Sequence, residues 1–190
     1  ITELIIDSIW KNFPVQFSAQ VIPLRVFIQE ILRRSRTSWS TLQTTLFYLM
    51  RIKPEITSLA LNYGNDRNGK ACDPATCGRR MFLASLMVAS KYLQDRNYAN
   101  NAWSKISGLP VQEINAIERR FLKLIDYNLY IGESIFKHWV NLLLSHIIQI
   151  TSGSVPSDAH RTEVDQKTAA QFKQTLWMTR SQSSECSVRG

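Results

Sequence analysis

The stretch MFLASLMVASKYLQD, residues 81–95, decides the fold. From Met81 to Ser90 it is apolar or small at almost every position. A helix that is apolar around its whole circumference belongs either in a membrane or inside a jacket of other helices. A membrane span needs about 18 to 20 apolar residues in a row, and this run stops at Lys91. The pattern therefore predicts a buried helix over 79–94, at the centre of an all-α domain. Ala84, Ser85, Ala89 and Ser90 are small enough to let neighbouring helices come close. What remains to be explained is the ammonium group of Lys91 at the end of a core segment.

Working outward, helical spacing recurs and no segment alternates as a strand does. Leu24, Phe27, Ile28, Ile31 and Leu32 form one stripe, Pro23 suits a first turn, and Arg33, Arg34 and Arg36 gather at the end, where cations favour the helix dipole. Thr37 or Ser38 is the expected cap of a second helix carrying Trp39, Leu42, Leu46, Leu49 and Met50, and Pro54 is expected to end it. Residues 62–78 are rich in Gly, Asn, Asp and Pro and read as a long surface loop. Loops of that length in compact domains are usually functional or disordered. Beyond the central helix, Asn100 or Asn101 is the expected cap of a short helix stopped by Gly108. Pro110 and Glu113 open the next, with Ile114, Ile117, Phe121, Leu124 and Ile125 as its stripe and Asn128 as its end. A further helix is expected over 133–150 with Phe136, Trp139, Val140, Leu143 and Ile147 inward, then a turn at 151–158, a last helix over 163–177 and a mobile tail.

The totals set limits on function. The chain has 190 residues, 44% hydrophobic and 20% charged, enough for one domain with a real core. The opening ITELIIDSIW has early acids, no basic lead and no small-residue cleavage site, so no signal peptide is expected there, and a first residue other than Met suggests a fragment. The three cysteines, Cys72, Cys77 and Cys186, do not make a paired framework and suggest reduced thiols in the cytosol or nucleus. His138, His146 and His160 do not stand at zinc-ligand spacing from a cysteine, and there is no HExxH, P-loop, GxGxxG after a strand, or GxSxG. The carboxylates Asp95, Glu113, Glu118 and Asp126 are scattered. The expectation is a non-enzymatic helical binding module without metal, cofactor or membrane association.

LRVFIQEIL, a second helix ending in FYLM, a buried third ending in ASKYLQD, then AWSKISGL and PVQEINAIERRFLKLIDYNLYI make an ordered set. Together they resemble the cyclin box. Within cyclins, RRSRTSWSTLQTTLFYLMRIK and GRRMFLASLMVASKYLQDRNYANNAWSKISGLP look most like the fungal single-box group that partners the Pho85-type cyclin-dependent kinase. The resemblance implies a cyclin fold: a five-helix bundle around a central third helix, with flanking N- and C-terminal helices. It implies an N-terminal flanking segment at 1–20, the box at 21–131, flanking helices at 132–180 and a flexible tail at 181–190. It implies a regulatory subunit that binds and activates a cyclin-dependent kinase and directs it to protein substrates, in nucleus and cytoplasm.

The same resemblance accounts for Lys91. In cyclins the lysine of the ASKY segment and the glutamate of the fifth helix meet at the kinase-facing surface, here Lys91 and Glu118. From spacing alone, a lysine at a helix end more often lays its stem on the core and keeps its head in water. Phe82, Leu83, Leu86, Met87 and Tyr92 are the apolar candidates around the pair, although for most of them core packing is the better reading. An MRAIL-like docking patch for substrates aligns with Leu24, Arg25, Ile28, Glu30 and Ile31, without the aromatic usual near Ile31.

The net charge of +8 leaves a second expectation, since transcription factor IIB uses the same helical fold on DNA. Against it, Arg33, Arg34, Arg36, Arg79, Arg80, Arg119, Arg120 and Lys123 lack interleaved aromatics and form no recognition-helix pattern. Nucleic acid is therefore the minor expectation. A basic patch receiving an acidic or phosphorylated segment is the stronger one.

Overall fold

A computed structural model describes residues 1–13, 22–63 and 73–151. It is all helical over those residues: α1 (Thr2–Trp10), α2 (Leu24–Ser35), α3 (Trp39–Tyr63), a 3-10 turn (Pro74–Thr76), α4 (Gly78–Leu93), α5 (Asn100–Ser107), α6 (Val111–Leu124) and α7 (Glu133–Thr151). The chain divides into two compact units, Ile1–Tyr130 and Ile131–Gly190.

In the first unit α4 is the axis. Every residue from Met81 to Ser90 is buried. α3 and α6 pack against it most extensively, and α1 and the 3-10 turn also lie against it. α5 packs on α6 and α2. The small residues act as expected: Ser85 sits close enough to α3 for its hydroxyl to donate to the Thr45 carbonyl at 2.8 Å. The expected all-α arrangement is thus present over the described residues, with the helix read from residues 79–94 at its centre.

The helix ends follow local chemistry. Ser38 caps α3, its hydroxyl accepting from the Thr41 N–H at 3.2 Å. α2 closes with Arg36 in the left-handed region at φ 49°, its N–H on the Arg33 carbonyl and the Thr37 N–H on that of Leu32. That double closure satisfies carbonyls the helix would otherwise leave open. Gly108, at φ 77°, stops α5 as the sequence predicts.

Three expectations need correction. Pro54 does not end α3, which runs on to Tyr63. A proline inside a helix costs about 3 kcal/mol. Here it lies on the exposed face, while Ile52 and Ile56 on either side are fully buried and contribute about 1.5–3 kcal/mol each. Packing therefore carries the helix through the proline. α6 ends at Leu124 rather than near Asn128. Asp126 and Tyr127 take left-handed φ values of 53° and 54°, closing the helix through bonds to the carbonyls of Lys123 and Leu122. Finally, the expected 62–78 loop is shorter at both ends. Tyr63 still belongs to α3, Gly78 already opens α4, and Asp73 to Cys77 form an ordered turn. Residues 64–72 lie outside the described part.

α1 is the expected N-terminal flanking helix, within the flanking segment set at 1–20. Its Ile6, Ile9 and Trp10 are buried against the first unit. Trp10 Nε1 donates to the Ala75 carbonyl at 2.8 Å, and Gly78 leaves room for the close approach. In the second unit, α7 matches its predicted span, with Trp139 and Leu143 buried and Phe136, Val140 and Ile147 partly so. The predicted turn after Thr151, the 163–177 helix and the tail lie outside the described residues.

Candidate functional site

Burial on α4 stops abruptly. Ser90 is covered, the Lys91 side chain is 30% exposed, and Tyr92 and Leu93 are open to solvent. Covering Met81, Phe82, Leu83, Leu86, Met87 and Val88 contributes on the order of 10 kcal/mol, at about 1.5–3 kcal/mol per side chain. A partly exposed ion pair contributes about 0–1 kcal/mol. Hydrophobic burial therefore decides where the ammonium stands, and its polar partners only orient it.

Those partners come from two other helices. Lys91 Nζ donates to Glu118 Oε1 on α6 at 2.6 Å and to Asn100 Oδ1 on α5 at 2.6 Å. Asn100 Nδ2 in turn donates to Glu118 Oε2 at 2.8 Å and to Asn115 Oδ1 at 2.6 Å. Glu118 is the more enclosed charge, with 14% of its side chain exposed. An ammonium has three protons to give, and two are used here. The third, and the free lone pairs of the carboxylate, are available to a partner.

The sequence brought out Lys91 and Glu118, and the structure joins them. It did not bring out Asn115, and it assigned Asn100 to a cap that Asn100 does not make; Ala99 holds that position without a side-chain bond. Asn115 and Glu118 are three apart on α6 and so share a face, which was the available signal. Phe82, Leu83, Leu86 and Met87 have no exposed surface, so in this conformation they support the rim from beneath and offer a partner no contact. The reason is that α4 is covered on all sides, so an apolar residue there has no outer face. Tyr92, 48% exposed, and Leu93 are the open apolar neighbours of Lys91.

Beside the rim, Tyr48 and Arg51 of α3 hold the turn that follows α6. The Tyr48 hydroxyl donates to the Leu129 carbonyl at 2.8 Å. Arg51 donates to the carbonyls of Asn128 and Tyr130 and lies 4.8 Å from the centre of the Phe47 ring. Burial pushes the Tyr48 hydroxyl well above its usual value, with Tyr92 adding to the shift and Arg51 opposing it.

On α2, Ile28 and Ile31 are buried, Leu24 is partly covered and Arg25 is exposed. Of the expected docking patch Leu24, Arg25 and Glu30 present appreciable surface, next to an exposed Val26. Glu30 binds both Arg33 and Arg34, at 2.7 and 2.6 Å, and hydrogen bonds from these two arginines hold its carboxyl down at about 2. Arg80 pairs with Glu113 at 2.6 Å, and Arg120 with Asp73 at 2.6 Å. Four arginines from the basic clusters are therefore already matched within the chain, which leaves less free charge for a polyanion. Among the described residues no group of His, Cys, Asp and Glu could hold a metal, and no helix is long and apolar enough to cross a membrane.

The family model described as cyclin matches residues 11–129. The chain is 39% identical over 129 residues to the G1/S-specific cyclin pas1 of Schizosaccharomyces pombe, covering 68% of this chain and 29% of that protein. It is 27% identical over 150 residues to PHO85 cyclin-5 of Saccharomyces cerevisiae, covering 78% of this chain and 62% of the relative. Over 60 residues it is 35% identical to Cyclin-U2-1 of Arabidopsis thaliana, covering 32% of this chain and 27% of that one. The chain thus spans less than two thirds of each of these relatives. No solved structure gives a significant match.

Proposed function

The chain belongs to the cyclin family, and from that premise we propose that it is a regulatory subunit which binds and activates a cyclin-dependent kinase of the Pho85 type, with no catalysis of its own. The observation that carries this reading is the Lys91–Glu118 pair at the open end of a buried helix, with spare hydrogen-bonding capacity facing outward. A main-chain N–H and C=O on a partner can satisfy the carboxylate and the ammonium together. A cyclin that binds the inward position of the kinase's mobile C-helix more tightly than the outward one shifts the kinase toward it. There the helix glutamate can pair with the lysine of the ATP site. The likeness to PHO85 cyclin-5 supports the kinase type.

Substrate selection on this reading falls to the α2 surface around Leu24 and Arg25, with Ile28 and Ile31 shaping it from below. The working boundaries are a flanking segment at 1–20, the box at 21–131, flanking helices at 132–180 and a tail at 181–190, in a protein of nucleus and cytoplasm.

The test is reconstitution with the Pho85 kinase of budding yeast. Phosphorylation of a protein substrate should require both chains. Lys91→Ala and Glu118→Ala should each weaken the complex by about 2–3 kcal/mol, about thirtyfold to a hundred-and-fiftyfold, because each strands a charge at the interface. A double variant that binds and activates like the parent removes this function from the site.

A further inference from the structure

An asparagine side chain accepts at one atom and donates twice from another. Asn100 uses all of this on one cluster: it accepts from Lys91 and donates to Glu118 and to Asn115. An asparagine near the start of a helix ordinarily bonds the helix's own N–H groups, yet here α5 begins with no side-chain cap. The amide is diverted from the helix end to the ion pair. Its orientation is fixed by charge: turning it over would set the NH2 against the ammonium and the carbonyl oxygen against the carboxylate. Asn115, on the same face as Glu118, steadies it from the far side.

Long charged side chains lose about 1.5–2 kcal/mol of rotamer freedom when ordered. Where that loss falls at the moment of association it is subtracted from affinity. Lys91 and Glu118 bond each other, but a single contact between two flexible stems leaves both free to swing together. A rigid amide on a third helix, bonded to each of them, removes that freedom beforehand.

We propose that Asn100, held by Asn115, is a positioning residue: its bridging amide presets the Lys91–Glu118 pair in the geometry a partner's main chain meets, and so makes the start of α5 part of the docking rim. This rests on the kinase-facing reading of the pair and deepens it.

The test measures affinity for the Pho85 kinase and thermal melting of the free chain, for Asn100→Ala, Asn100→Asp, Lys91→Ala and the Lys91→Ala, Asn100→Ala double variant. Asn100→Ala should weaken binding about tenfold. In the Lys91→Ala background the same change should cost clearly less than in the parent, because one of the two side chains that Asn100 sets is already gone and only Glu118 keeps its bond to the amide. Asn100→Asp keeps the size but sets a second carboxylate beside Glu118, and should bind at least as weakly as Asn100→Ala. A merely structural role would lower the melting temperature and weaken binding equally in both backgrounds, and that result overturns the proposal. If Lys91→Ala weakens binding while both Asn100 variants stay within about twofold of the parent, the positioning role falls and the kinase reading stands. If Lys91→Ala has no effect, both fall.

Discussion

Gly78→Ala tests how α1 is seated. A Cβ at this position would lie 2.7 Å from Ile6 Cγ2 and 3.2 Å from two atoms of the Trp10 ring. Carbon atoms pack at about 3.5–4.0 Å, so one helix must move by a large part of an ångström. Ile6 cannot simply swing aside, because a β-branched side chain on a helix is confined to one main rotamer. Overpacking of this kind costs about 1–3 kcal/mol. Against it, alanine favours an interior helix position over glycine by up to about 1 kcal/mol, and less at the first residue of α4. The contact wins, and the expected net cost is about 1–2 kcal/mol, or a fall in Tm of about 2–8 °C. Urea and thermal unfolding should be measured in a cycle with Ile6→Ala. Removing the obstructing methyl should make Gly78→Ala nearly neutral, a coupling of about 1–2 kcal/mol. Equal costs in both backgrounds, or a stabilised Gly78→Ala, would refute the close seating of α1 on α4.

Two further outcomes follow from the polar clamps. Burial raises the Asp73 carboxyl, but the hydrogen bond and charge of Arg120, with the Ala75 N–H, outweigh it and hold the group below its usual value. A lowered carboxylate contributes stability above its unfolded pKa of about 3.9 and loses it as pH falls through the lower folded value. The urea midpoint of Arg120→Met should therefore fall short of the parent's most above about pH 5 and converge with it in strong acid; a gap independent of pH refutes the pairing. Arg51→Met strips donors from the Asn128 and Tyr130 carbonyls and should cost about 1–3 kcal/mol in urea unfolding. Arg51→Lys should recover less than half of that, since a single ammonium cannot reproduce the fork; full recovery would show that only charge matters there.

The parts of this fold that the sequence makes legible are those where one physical effect has no rival. Ten buried positions in a row on α4 leave no face for solvent, so the central helix follows from composition alone. Gly108 works the same way, because its left-handed φ of 77° suits little else. The misreadings arise where two effects compete. Pro54 carries a strong stop signal, and the burial of Ile52 and Ile56, which depends on α3 meeting other helices, outweighs it. The end of α6 lacks a glycine marker because Asp126 and Tyr127 take the left-handed shape themselves. Asn100 looked like a cap because local sequence shows the helix start and hides the ion pair that claims the amide.

The arrangement of charge around α6 bears on which pair faces outward. Ile114, Ile117 and Phe121 anchor this helix in the core. Arg80–Glu113 and Asp73–Arg120 hold it near the start of α4, and Lys91–Glu118 at the other end. About 16 Å of helix separates Arg80 from Lys91 at 1.5 Å per residue. Exposure alone does not distinguish these pairs, since all are partly open. Their chemistry does. Asp73 also accepts from the Ala75 N–H, so its pair closes a backbone turn and would be needed with or without a partner. Among the described residues Lys91 and Glu118 bond no backbone atom and share an amide bridge from a third helix, and the last turn of α4 that carries Lys91 ends in exposed Tyr92 and Leu93. Fastening α6 needs neither the bridge nor the apolar surround. A surface that meets a partner's main chain needs both: polar groups held ready, and apolar area beside them that association can remove from water.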